Sequence, residues 1–152
     1  MIIGIPKETK KNEYRVSMTP RGVQDIVRAG HAVLVERGAG TGSGWGDRLY
    51  RNNGARIVGR NEIFRQAEMI VKVKEPQPQE IPLLRSGQIL FTFLHLAGIP
   101  SLIRKLLRRR VVAIGYETVQ TADGNLPLLA PMSEIAGKLA PQLGATYLQK
   151  DR

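Results

Sequence analysis

Cysteine is absent from the 152 residues. Disulfides and thiolate metal sites are therefore excluded, which suits a cytoplasmic protein. With only two histidines, no zinc-ligand spacing can be assembled, and no metal site is expected. No apolar run approaches the roughly 20 residues needed to cross a bilayer. The opening stretch MIIGIPKETK lacks the basic start, long apolar core and small-residue cleavage site of a secretory leader. A membrane partner is therefore not expected. A Gly-x-Ser-x-Gly nucleophile elbow and a Walker phosphate loop are both missing. Internal repeats and low-complexity tracts are missing too.

Acidic residues are scarce: 13 Asp and Glu stand against 23 Lys and Arg, a net charge of +10. Such a charge raises nucleic acid or an anionic membrane as partner classes. The cations are nevertheless spread along the chain, except for RKLLRRR at 104–110, which has no aromatic neighbours for base stacking. A solvated helix end, or a face covered by further chain, is the expected reading of that cluster, and nucleic acid is not expected as a partner. The bulk make-up is that of one globular domain, 42% hydrophobic and 24% charged, long enough for a real core.

Short apolar runs alternate with helix-like segments. IIGI (2–5) reads as a buried strand. TPRGVQDIVRAG (19–30) reads as a helix, with Thr19 as N-cap, Pro20 in the first turn and Gly30 as the stop. Val23, Ile26 and Val27 give it one apolar face. HAVLVE (31–36) is the next strand, and GDRLYRNNGA (46–55) is a short helix closed by Gly54. RIVG is a weak strand, NEIFRQA (61–67) a helix capped by Asn61, and MIVKV (69–73) a strand. EPQPQEIPLL (75–84) is a proline-punctuated loop, and QILFTFLHL (88–96) is the longest β-like run. IPSLIRKLLRRR (99–110) is a helix with its positive charge late, as the helix dipole favours. VVAIGYETV (111–119) is the last strand. PMSEIAGKLAPQLGATYLQK (131–150) carries one long helical pattern, with a kink predicted near 137–141 because the Pro141 ring opposes the carbonyl of Gly137. Strands separated by helices predict an α/β fold: a mainly parallel sheet with helices on both faces, ending in a long helix. A composition break at TADGNLPLLAP puts the domain at 1–130, with 131–152 leading out of it.

The stretch GAGTGSGWG (38–46) follows a strand, where a dinucleotide's phosphates often sit. A Gly-x-Gly-x-x-Gly fingerprint started at Gly38 needs glycine at 43, which is Ser43; started at Gly40 it needs glycine at 45, which is Trp45. The next strand, RIV, has no acid at its tip. The loop thus reads as a flexible surface turn and not as a cofactor site.

Three charged features are harder to explain as packing. Arg15, in an extended stretch before a helix, can fork onto a carboxylate, or be a solvated or salt-bridged arginine. Lys72 and Lys74 alternate with Val71 and Val73, so both should point to one face of the strand. They mark either a ligand end of a parallel sheet or an edge strand with a wet face. His95 follows the most apolar run and suits acid–base work near neutral pH, or else is a satisfied core histidine. From these residues alone, the chain reads as a basic α/β domain with a cationic cleft for a small carboxylate.

The blocks GIPKETKKNEYRVSMTP, GAGTGSG, VKVKEP, GQILFTFLHLA and YETVQTADGNLPLLAPMSEIAGKLA resemble, in order and spacing, the amino-terminal part of alanine dehydrogenase. Proton-translocating transhydrogenases share this domain, but LHLA and LPLLAPMSE look closer to alanine dehydrogenase. The resemblance implies a Rossmann-like or flavodoxin-like substrate domain. It implies oxidation of L-alanine to pyruvate and ammonium with NAD, in a cleft beside a separate NAD-binding domain. Arg15 and Lys74 would hold the substrate carboxylate and carbonyl. His95, with Lys74 beside it, would do the acid–base work on the carbinolamine and imine. Met132 would lie close to bound substrate, and Ser133 would offer its hydroxyl to the cofactor phosphates. Glu75 and the Tyr116-Glu117 pair match as structural support.

The resemblance further implies a chain truncated before the NAD-binding domain, inactive in alanine oxidation by itself. It also implies a homo-oligomer, with a missing carboxy-terminal half as a second partner. Two alternatives stay open: a transhydrogenase alpha-subunit fragment, and a non-catalytic keto-acid-binding or oligomerisation module.

Overall fold

The computed structural model describes residues 1–150. The chain forms two compact units, Met1–Gly115 and the segment from Tyr116 onward. In the first unit the alternating apolar runs become six strands: β1 (Ile2–Ile5), β2 (Ala32–Glu36), β3 (Arg56–Val58), β4 (Met69–Val71), β5 (Ile89–Thr92) and β6 (Val112–Gly115). They lie in the order β3-β2-β1-β4-β5-β6, and every neighbouring pair is parallel. The chain works outward from β1 to β3, then returns and lays β4 on the other side of β1. In doubly wound sheets this reversal opens a crevice beyond the carboxyl ends of the two central strands.

Helices cover both faces. Alternation along β2 sends Val33 and Val35 to one side and Leu34 to the other. On the first side, α1 (Pro20–Arg28) contributes Val23, and α2 (Asp47–Asn52) contributes Tyr50. On the second, α3 (Arg60–Gln66) contributes Ile63 and Phe64, and α4 (Pro100–Arg109) contributes Leu102 and Leu106. Gly4 permits α3 to lie against β1, because a Cβ there would stand 2.6 Å from Ile63 Cγ2 and 2.8 Å from Ala67 Cβ.

Thr19 caps α1 as expected, its hydroxyl accepting the Gly22 amide at 3.0 Å. Several predicted ends move. α3 starts at Arg60, capped by Gly59 and not by Asn61, because the Gly59 carbonyl already accepts the Glu62 and Ile63 amides. β4 stops at Val71, two residues short of the predicted strand, because a glutamate side chain takes the Val73 amide out of the ladder. β5 is confined to Ile89–Thr92; Gln88 instead turns its amide onto the Phe64 and Ala67 carbonyls at the end of α3. β6 ends at Gly115 and passes into a 3-10 turn, Tyr116–Thr118.

The second unit consists of that turn, a loop closed by the Thr121 amide on the Asn125 carbonyl at 2.9 Å, and α5 (Ala130–Leu148). Residue 130, the expected domain end, is the first residue of α5, which continues through Pro141 without interruption. Among the described residues no helix is long and apolar enough to cross a membrane.

Candidate functional site

The run after β4 carries the most constrained chemistry. Lys72 is fully buried, with its ammonium 3.0 Å from Glu8 Oε2 and 3.0 Å from Glu80 Oε1. The other Glu8 oxygen accepts the Val73 amide at 2.6 Å and the Lys74 amide at 3.4 Å. The other Glu80 oxygen accepts the Gln77 amide at 2.8 Å. A buried ion needs such saturation, since desolvation costs several kcal/mol per charge. Burial pushes the Glu8 carboxyl above its ordinary range, against the pull of the Lys72 ammonium and the Val73 amide. Lys72 and Lys74 therefore do not share a ligand-facing side as the alternation suggested. The strand ends before them, and Lys72 turns inward to fasten the crevice from β1 to β4. The wet-edge alternative also falls, because β4 lies between β1 and β5.

Lys74 is fixed from both neighbours. Its amide is held by Glu8, and its carbonyl accepts the buried Thr92 hydroxyl at 2.9 Å. Its charge helps hold the Glu13 carboxyl below the ordinary range, behind the larger contribution of Arg15. Arg15 forks onto Glu13, with Nε to Oε1 at 2.8 Å and Nη2 to Oε2 at 2.7 Å. The Glu13 side chain is 7% exposed and that of Arg15 48%, so the carboxylate sits inside and the guanidinium outward. Arg15 thus grips the Glu13 carboxylate directly, and the Lys74 charge acts on the same group without a hydrogen bond to it. A cleft of about 300 Å³ opens there, its lining including Lys7, Glu8, Glu13, Arg15 and Thr41. Neither Lys74 nor His95 is part of that lining.

His95 comes three residues after β5, in a run whose Phe93 amide still reaches the Val73 carbonyl at 3.4 Å. It is exposed, so the core-histidine alternative does not hold. Its ring stacks on Phe93, with centroids 6.0 Å apart and planes 14° from parallel. Its backbone adopts φ 49° and ψ 39°, the left-handed region. For an L-residue this costs about 1 kcal/mol or more, a strain that gathers at functional positions.

The glycine stretch is a surface turn as expected, but it is closely packed at Gly40 and Gly42. A Cβ on Gly40 would stand 2.6 Å from the Trp45 carbonyl and 2.6 Å from the Tyr50 ring, and one on Gly42 would run into the Tyr14 carbonyl. The Ser43 hydroxyl donates to that same carbonyl at 3.3 Å. The Gly38 amide donates to the Asp47 carboxylate at 2.8 Å. The space and the amide that a diphosphate would need are taken by the protein, so the loop does not fit a dinucleotide. Its packing instead backs Tyr14, next to Arg15.

Met132 and Ser133 belong to the second unit, in the first turn of α5. Both amides donate to the Leu129 carbonyl, at 3.0 and 3.1 Å. Ser133 is exposed and Met132 half-buried. Of the residues expected as support, Glu75 is buried and paired with Lys10 at 2.5 Å. Glu8, Glu13, Glu80 and Thr92 escape a reading of the sequence. Two lysines leaving a central strand were the available signal, since a buried ammonium demands carboxylates from somewhere.

Residues 4–136 match the family model described as alanine dehydrogenase/PNT, N-terminal domain. An alanine dehydrogenase of Methanococcus maripaludis is 56% identical over 151 residues, 99% of this chain and 40% of that protein. A solved L-alanine dehydrogenase superposes with a TM-score of 0.91 at 47% identity, covering 97% of this chain and 41% of that one. A transhydrogenase from Sinorhizobium meliloti is more distant: TM-score 0.74 and 32% identity over 77% of this chain and 35% of the other. The chain therefore spans about two fifths of the length of the alanine dehydrogenases it matches. With its all-parallel sheet, a family-model match over residues 4–136 and 56% identity to such a relative, the chain belongs to the alanine dehydrogenase/PNT family and covers its N-terminal domain.

Proposed function

We propose that this domain binds the substrate of an L-alanine dehydrogenase, in which L-alanine, NAD and water give pyruvate, ammonium and NADH. The observation that carries the reading is a cleft of about 300 Å³ lined by Arg15 together with Lys7 and Lys10. Arg15 binds the substrate carboxylate, as a guanidinium fork suits that group. Lys74, its backbone pinned by Glu8 and Thr92, directs its ammonium to the carbonyl oxygen. His95 moves protons to and from the carbinolamine and imine oxygen and nitrogen. Met132 borders the substrate, and Ser133 offers its hydroxyl to the cofactor phosphates. NAD supplies the hydride acceptor and is held chiefly outside these residues, because no step of its binding fits the glycine loop. In the working enzyme the domain assembles as a homo-oligomer.

The test is a pyruvate titration of the chain, followed through the NMR signals of the His95 ring. A saturable shift is expected, and it should vanish in Arg15→Ala. A flat titration with the intact chain would reject a preformed substrate site. The less similar transhydrogenase match leaves alanine dehydrogenase as the reading the comparisons support better.

A further inference from the structure

The Arg15 guanidinium is already engaged before any substrate arrives. Glu13 accepts from Nε at 2.8 Å and from Nη2 at 2.7 Å. It also accepts the Arg15 backbone amide at 3.0 Å through the same oxygen that meets Nε. That third bond distinguishes this arrangement from an ordinary surface ion pair. The carboxylate is tied to the backbone that carries its partner and is shielded from water, while the guanidinium stays half in solvent. The segment beneath is fixed as well. The Glu13 amide closes a turn on the Lys10 carbonyl at 3.1 Å, and Asn12 within it takes a left-handed φ of 63°. On the other side, Ser43 and the close approach of Gly42 hold Tyr14.

A buried carboxylate beside a substrate-binding arginine can do one of two things. It can stand in for the substrate and be displaced by it, or it can stay and aim the arginine. Displacement would strip Glu13 of two side-chain bonds and leave its charge in a site 7% exposed, held by one amide. Staying costs nothing. It also removes in advance part of the rotamer freedom that a long arginine side chain would otherwise lose on binding.

Resting on the substrate-site reading above, we infer that Glu13 is a positioning residue for the substrate carboxylate. It keeps its bonds to Nε and Nη2 of Arg15 throughout binding and so holds the guanidinium in place for the incoming group. Arg15→Lys is not a conservative change here, because an ammonium cannot reproduce the planar fork onto Glu13.

The experiment follows the Arg15 Nε–H resonance and the His95 ring signals of the whole chain during a pyruvate titration, in the native sequence and in Glu13→Gln. The Nε–H is expected to be protected from solvent exchange without ligand and to stay protected at saturation. Glu13→Gln, with its fold checked by circular dichroism, should bind pyruvate about threefold to tenfold more weakly. Loss of Nε–H protection as pyruvate saturates would overturn the inference in favour of displacement, and this readout does not depend on the variant folding. Equal or tighter binding by Glu13→Gln would overturn it too, while leaving the substrate site standing. Absence of pyruvate binding by the native chain would remove the substrate-site reading, and this inference with it.

Discussion

At the scale of single residues, the decisive fact is that two lysines one residue apart have unrelated fates. Lys72 is sealed between Glu8 and Glu80, and Lys74 is left half-buried. Lys72→Met would leave two buried carboxylates facing a gap, a loss of about 3–5 kcal/mol in urea unfolding near neutral pH. The pH dependence has a definite sign. Burial already holds the Glu8 carboxyl above its ordinary value of 4.5, and Lys72 is what pulls it down. Without Lys72 the folded chain gains protons more readily than the unfolded chain as pH falls toward 4.5. The deficit relative to the native sequence should therefore shrink on acidification. A deficit constant between pH 7 and 5 would contradict the triad. Glu13 behaves oppositely. Arg15 holds its carboxyl below 4.5, so its contribution is complete above that pH and is lost as pH falls through the lowered value.

At the scale of elements, the loop after β2 shows how a motif can be misread and still matter. Its glycines fail the dinucleotide spacing, as the sequence indicated, but Gly40 and Gly42 are closely packed. Gly42→Ala would push the Tyr14 carbonyl and shift Arg15 with it, so the pyruvate response of His95 should weaken severalfold. Gly46→Ala in the same loop meets nothing within 4 Å and should leave that response unchanged. Equal effects from both variants would mean that the loop does not support Arg15. Element order, and the caps of α1 and α2, were legible because periodicity and capping chemistry are local. Element ends were less so. Asn61 lost its cap role to Gly59, and β4 ended early where the Glu8 side chain captured the Val73 amide.

At the scale of the whole molecule, the backbone amides considered for a diphosphate are already engaged. The amides of Met132 and Ser133 are spent within the second unit on the Leu129 carbonyl, and Gly38 is spent on Asp47. Mixing the chain with L-alanine and NAD should give no NADH absorbance, and a steady rise from pure chain would refute that. The sequence by itself determined the alternation of strands and helices, hence the parallel sheet, and it marked Arg15, Lys72, Lys74 and His95 as residues out of keeping with plain packing. Tertiary structure alone decided what each charge faces. Glu8 and Lys72 lie 64 residues apart and meet because β4 returns beside β1. Spacing and period report on neighbours along the chain. The partner of a buried charge is set by strand order, which no local pattern encodes.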